Sequence, residues 1–158
     1  MKTKHKYLLM GIIFAVALSI DLITKHLFCN VSYTRIIPYL IAFQTNGGNT
    51  GAAFGIFSKS TTFLIICSVL IVAIMIFVDI IMKAKGKTYT IGFGLILAGA
   101  VGNFMDRVAL GYVRDFIMFD FWKTFPIFNF ADCCIVIGAV LVAIHFIFLS
   151  KVDNNGKN

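Results

Sequence analysis

Thr62-Phe63-Leu64-Ile65-Ile66-Cys67-Ser68-Val69-Leu70-Ile71-Val72-Ala73-Ile74-Met75-Ile76-Phe77-Val78-Asp79-Ile80-Ile81-Met82 is a run of twenty-one residues with one charge, Asp79. Its length matches the ~20 residues that a helix needs to cross a ~30 Å hydrocarbon core. Lipid offers no partner to a bare backbone N–H or C=O, so such a run is a helix. Three similar runs lie around it, at about 7–28, 89–109 and 128–150. The fold class expected is an all-α integral membrane protein, a four-transmembrane-helix bundle. With 59% of residues hydrophobic and 13% charged, 158 residues make one membrane-embedded domain, 1–158, and leave no room for a second soluble one.

The basic residues set the expected orientation. Lys2, Lys4, Lys6, Lys83, Lys85, Lys87, Lys151 and Lys157 flank the spans on one side, while Arg35, Lys59, Arg114 and Lys123 are spread over longer loops on the other. Positive-inside then puts both termini in the cytoplasm and the loops 29–61 and 110–127 outside. The net charge of +7 is explained by topology, and no nucleic-acid partner is expected. His26-Leu27-Phe28 is no small-residue cleavage site, so the first span is expected to be an uncleaved helix.

The first outer loop is long for a structureless connection. Ile36–Phe43 is β-branched and aromatic, and its Pro38 suits an edge strand. Gly47–Gly51 reads as a turn and Ala52–Phe57 as a short helix. A small sheet resting on the outer membrane surface is expected. Tyr112, Phe116, Phe119, Phe121, Trp122 and Phe125 in the second outer loop suit the interfacial aromatic belt. Cys29, Cys67, Cys133 and Cys134 form no C-x-x-C pair and read as small hydrophobes.

All seven acidic residues are Asp, and most of the awkward polar groups converge on one level. Asp21 and Lys25 stand at the outer end of span one and can pair at i,i+4. Asn103, Asp106 and Arg107 share a stripe at the outer end of span three. Asn129 and Asp132 stand at the outer end of span four, and Asn49 and Asp115 come from the outer loops. Asp79 is the exception, four residues before Lys83, and a solvated pair accounts for it. His145 reads as packing. Gly94, Ala98 and Gly102 have the small-xxx-small spacing that admits a neighbouring helix.

Asp115 and Asp132, seventeen residues apart, are the costly groups: ~2.5–3.5 kcal/mol each at a helix centre. Two carboxylates held close cannot both ionise cheaply, so the pair keeps one proton over a useful pH range. The ionised member can activate a water and the protonated one can polarise a carbonyl. No zinc or serine-nucleophile motif is present, and no metal or other cofactor is expected. Two rivals use the same carboxylates: a small proton-coupled membrane transporter, and a lipid-phosphate enzyme with Asp-held magnesium.

Five blocks sharpen the choice: Asp21-Leu22-Ile23-Thr24-Lys25, Asn49-Thr50-Gly51-Ala52-Ala53-Phe54-Gly55, Gly102-Asn103-Phe104-Met105-Asp106-Arg107, Gly111-Tyr112-Val113-Arg114-Asp115-Phe116 and Phe128-Asn129-Phe130-Ala131-Asp132. In order and on four spans, they resemble the lipoprotein signal peptidases, or signal peptidases II. The departures, Leu22 where Gln is common and Gly47-Gly48 before Asn49, do not touch the two aspartates. The resemblance implies an aspartic endopeptidase of the bacterial inner membrane, with a small extracytoplasmic β-sheet platform and an active site near the outer face. It would cleave diacylglyceryl-modified prolipoproteins just before the lipidated cysteine. It carries the catalytic pair onto Asp115 and Asp132, and supporting or substrate-binding roles onto Asp21, Lys25, Asn49, Gly51, Asn103, Asp106, Arg107 and Asn129. It further implies a lipid-modified signal peptide and membrane lipid as partners, a monomer, and sensitivity to the cyclic peptide globomycin.

Overall fold

The computed structural model describes residues 2–45, 48–49 and 61–149. Among the described residues, four helices are long and apolar enough to cross a membrane: α1 (Thr3–Phe28), α2 (Thr61–Met82), α3 (Lys87–Leu110) and α4 (Phe130–Ile144), which runs on as a π-helical turn, His145–Leu149. The expected spans are present. α1 starts earlier than the apolar pattern because Lys6 is buried rather than solvated. α4 starts later because Phe128 pairs with Ile117 and Asn129 caps the helix.

α3 is the central helix, and its small residues make it so. Gly94 lies against Ile13 and the Met10 carbonyl, and a Cβ there would sit 3.2 Å from each. On another side Gly92 faces Gly138 of α4, and Gly99 faces Ala131 and Ile135. Helices in lipid gain nothing from hiding apolar surface from one another, so association rests on such close backbone approach. Ala17, Ala98 and Cys134 fill the middle of the bundle, and Met10, Tyr89 and Phe93 fill the end away from α4's start. Leu8, Ile12, Val16, Phe77, Val136 and Val140 stay exposed, as lipid-facing side chains do.

Among the described residues, three short strands form an antiparallel sheet in the order β1 (Thr34–Ile37), β2 (Ile41–Phe43), β3 (Ile117–Phe119). Two expectations change here. Ile36–Phe43 is not one edge strand: Pro38 sits in a turn, and Tyr39 adopts a φ of 61°. The Leu40 N–H donates to the Ile37 carbonyl at 3.0 Å and closes the turn. The turn makes a hairpin of β1 and β2, because a proline that cannot donate is best placed between strands. The loop 110–127 also supplies the third strand, where only interfacial aromatics were expected. Phe28, Phe43 and Phe116 stack at centroid distances of 4.6, 5.3 and 5.4 Å and fasten the sheet to the end of α1. Phe119 stacks on Phe121, Phe125 and Phe128, while Phe121 and Trp122 remain exposed. Gly51 and the expected helix Ala52–Phe57 lie outside the described residues.

A third correction concerns Asp79. It is buried, and Lys83 is not its partner. Lys6 donates to it at 2.6 Å and the Tyr89 hydroxyl at 2.7 Å. This cluster ties α1, α2 and α3 together at the end opposite Asp132. His145 packs on the Tyr89 ring, as its packing role anticipated.

Candidate active site

Asp132 is fixed by the way α4 begins. Asn129 is the N-cap, and its Oδ1 accepts the Asp132 N–H at 3.0 Å. Asp132 Oδ2 accepts the Asn129 N–H in return at 3.1 Å. This reciprocal capping satisfies two N–H groups that the helix leaves unpaired. It also holds a carboxylate at the positive end of the helix dipole. Asp132 Oδ1 accepts from Asn103 Nδ2 of α3 at 2.8 Å.

Asp115 is fixed by the loop after α3. Gly111 ends the helix in the left-handed conformation, φ 82°, that a C-terminal glycine supplies without strain. Val113 then exchanges main-chain hydrogen bonds with Asn49, both 2.9 Å, and the Phe116 N–H donates to the Phe128 carbonyl at 3.0 Å. Between these pins, Asp115 Oδ2 accepts from Asn49 Nδ2 at 2.9 Å and Oδ1 from Asn129 Nδ2 at 2.6 Å. Asp115 is only 4% exposed. Burial, opposed by the Asn49 bond and reinforced by the Asp132 charge, pushes its carboxyl up to about 6.

Two carboxamides bridge the carboxylates. Asn129 Nδ2 donates to Asp115 and also to Asn103 Oδ1, 3.1 Å away, while Asn103 Nδ2 holds Asp132. Lys25 sets the direction of the Asn103 amide. Fully buried, it donates to Asn103 Oδ1 at 3.0 Å and lies 2.8 Å from Asp21 and 3.5 Å from Asp106. Asp21 in turn accepts the Ala131 N–H at 2.9 Å, another of α4's first amides. Gly102 is what lets α3 come this close, because any Cβ there would collide with the Asp21 carboxylate. Arg107 stands beside the group, its guanidinium 3.5 Å from the Asn103 carbonyl.

Asp21, Lys25, Asn49, Asn103, Asp106, Asp115, Asn129 and Asp132 therefore belong to one connected network. A member outside the expected set is Arg114, whose side chain and main-chain N–H both hold Asp106. It occupies an unspecified position of its block. The signal for it was a lone cation beside Asp115, eight residues after a buried acid. Four carboxylates, Asp21, Asp106, Asp115 and Asp132, face three cations, Lys25, Arg107 and Arg114. With every group ionised the set carries one negative charge in excess.

A family model described as signal peptidase (SPase) II matches residues 13–148. The lipoprotein signal peptidase of Enterococcus faecalis is 35% identical over 150 residues, 93% of this chain and 92% of that protein. The lipoprotein signal peptidase of Lactobacillus johnsonii is 40% identical over 118 residues, 75% of each chain. The chain belongs to the signal peptidase II family.

As a signal peptidase II it is a protease and a multi-pass protein of the bacterial cytoplasmic membrane. Two solved structures, each of a bacterial membrane enzyme studied by the in meso method, share its fold. One superposes with a TM-score of 0.80 at 30% identity, covering 94% of this chain and 91% of the other. The second gives 0.78 at 30% identity, covering 89% and 93%.

Proposed function

We propose that this signal peptidase II cleaves diacylglyceryl-modified prolipoproteins just before the lipidated cysteine, using a water activated by Asp115 and Asp132. The observation that carries the reading is the carboxamide bridge. Two aspartates from different segments are held together, with charge balance for one shared proton. Asp132, at a helix N-terminus and less buried, is the ionised base. Asp115, buried and pushed up to about 6, carries the proton.

The reaction runs without a covalent intermediate. Asp132 removes a proton from water, and the water oxygen attacks the scissile carbonyl carbon. Asp115 gives its proton to the carbonyl oxygen, so a neutral gem-diol forms. The C–N bond then breaks. Asp132 returns its proton to the departing amine of the lipidated cysteine, and Asp115 recovers a proton from the gem-diol. The pair ends as it began. Asn103 and Asn129 keep the carboxylates in place, Lys25 and Asp21 hold Asn103 and the start of α4, and Gly51 contributes with the Asn49 segment to substrate binding. Arg107 orders the loops or meets substrate carbonyls.

The site faces outward and both termini are cytoplasmic, in line with the lysine distribution. The substrate's lipid stays in the outer leaflet while its signal helix lies in the bilayer, and the enzyme works as a monomer. The transporter alternative asks for polar groups through the membrane depth. Ala17, Ala98 and Cys134 occupy the middle of the bundle, between two separate polar ends.

The test is cleavage of a diacylglyceryl-modified prolipoprotein by purified protein in detergent with EDTA present. Wild type should cleave and be stopped by globomycin, while Asp115→Asn and Asp132→Asn should lose at least ~10³-fold in kcat. Near-wild-type turnover by both variants would sink the two-aspartate assignment. Loss of wild-type turnover on adding EDTA would restore the magnesium alternative.

A further inference from the structure

We propose that Arg114 is a positioning residue for the peptidase reaction: by gripping Asp106 with its side chain and its main-chain N–H, it fixes where Asp115 presents its carboxylate. The inference rests on the two-aspartate reading above and adds a residue to it.

The grip is made of four contacts. The Arg114 N–H donates to Asp106 Oδ2 at 3.0 Å, Nη2 to Oδ1 at 2.6 Å, and Nε to Oδ1 and Oδ2 at 3.2 and 3.3 Å. A forked guanidinium on a carboxylate fixes direction as well as distance, which a single main-chain bond cannot do. The anchor is buried. Asp106 is 1% exposed on α3, and Lys25 holds its Oδ2 from the other side at 3.5 Å. The Arg114 side chain is 22% exposed, so most of the grip is shielded from water.

Asp115 is the next residue. Its two amide partners come from different parts of the chain, Asn49 before α2 and Asn129 at the start of α4, at 2.9 and 2.6 Å. Both reach it only while the loop stays in place, because a displacement of about 1 Å takes either bond out of range. On either side Val113 and Phe116 are pinned through the main chain. Arg114 is the one side chain among these pins that ties the loop to the charged network. Its place in the network is also distinct from a substrate contact: its main-chain N–H, Nε and Nη2 are all engaged on Asp106.

The test compares kcat, KM and pH profile for wild type, Arg114→Met, Arg114→Lys, Asp106→Asn and the double variant Arg114→Met/Asp106→Asn, each normalised to its folded fraction. Arg114→Met should lose about 10- to 100-fold in kcat with KM within about 2-fold. Arg114→Lys should recover part of the loss. The double variant should be no worse than Asp106→Asn alone, since the two residues act as one unit. The alkaline limb should move to higher pH in Arg114→Met, because the amides that favour ionised Asp115 are lost. Should Arg114→Met not fold, Arg114→Gln and Arg114→Lys carry the same comparison.

Unchanged kcat in Arg114→Met, with Asp115→Asn inactive, would overturn this inference and leave the two-aspartate reading standing. A rise in KM alone would make Arg114 a substrate contact and also overturn it. So would equal loss in Met and Lys variants with an unmoved pH limb. Failure of wild type to cleave would remove both readings.

Discussion

Asn129 is asked to do two separate jobs, and substitution can separate them. Its Oδ1 caps α4 by accepting the Asp132 N–H, and its Nδ2 bridges to Asp115 and Asn103. Removing an N-cap costs about 0.5–2 kcal/mol of stability. Asp115 becomes a carboxylate as it gives up its proton, and a lost hydrogen bond to a charged group costs about 1.5–3 kcal/mol, which here falls on the transition state. Asn129→Ala loses both. Asn129→Ser keeps a good cap and loses the bridge, because a hydroxyl is too short to hold both partners. Serine should therefore leave the melting temperature near wild type and lower kcat roughly 10- to 150-fold, the kinetic equivalent of 1.5–3 kcal/mol. Alanine should lower both. The assay is turnover of a fluorogenic diacylglyceryl peptide beside thermal unfolding in detergent. Wild-type kcat in Asn129→Ser would refute the bridge as a catalytic support. Loss of melting temperature without loss of kcat in Asn129→Ala would do the same.

Because Asp115 is pushed up to about 6 and must carry a proton to act as the acid, kcat/KM should fall as pH rises past about 6. The same carboxyl, raised above its unfolded value, stabilises the fold below that value and loses this contribution as pH rises to about 6; a pH series of unfolding in wild type and Asp115→Asn checks the sign. Gly102→Ala should cost about 1–3 kcal/mol and lower kcat, since its Cβ would displace Asp21 from Lys25 and the Ala131 N–H; a stable, fully active variant would contradict the close approach. Asp79→Asn should weaken the bundle by about 3–5 kcal/mol, because it leaves the Lys6 ammonium buried without a counter-charge. The folded fraction should keep its kcat, as the pair stands at the opposite end from Asp132; thermal unfolding and normalised turnover would show it.

Much of this architecture was legible in the sequence for physical reasons. The four spans follow from lipid's refusal of bare backbone, and the shared level of the polar groups follows from successive spans running in opposite directions. The Asp21–Lys25 pair is local, i,i+4, and local pairs show in a pattern. The misses are non-local. Lys6 and Asp79 are 73 residues apart, so Lys83, one helical turn from Asp79, looked like the partner. β3 was hidden because three residues, Ile117–Phe119, carry too little alternation to stand out among aromatics. The Pro38 hairpin needed Tyr39 at positive φ, which the residue type does not announce. Arg114 sat beside a recognised aspartate, and only the fold brings Asp106 to it.

The Lys6–Asp79–Tyr89 cluster bears on how the chain assembles during synthesis. α2 carries its one acid 73 residues after Lys6, so the ammonium is already in the bilayer when Asp79 arrives. Along α2 only Leu64 and Asp79 are buried among residues 62–82, and its remaining apolar side chains could lie against any lipid or any helix. Apolar surface therefore gives α2 little reason to choose a neighbour or a height. A carboxylate that must find one ammonium and one phenol supplies both, setting the helix's partner and its depth in a single step. The polar cluster far from the reaction is in this sense an address, read once while the bundle is being put together.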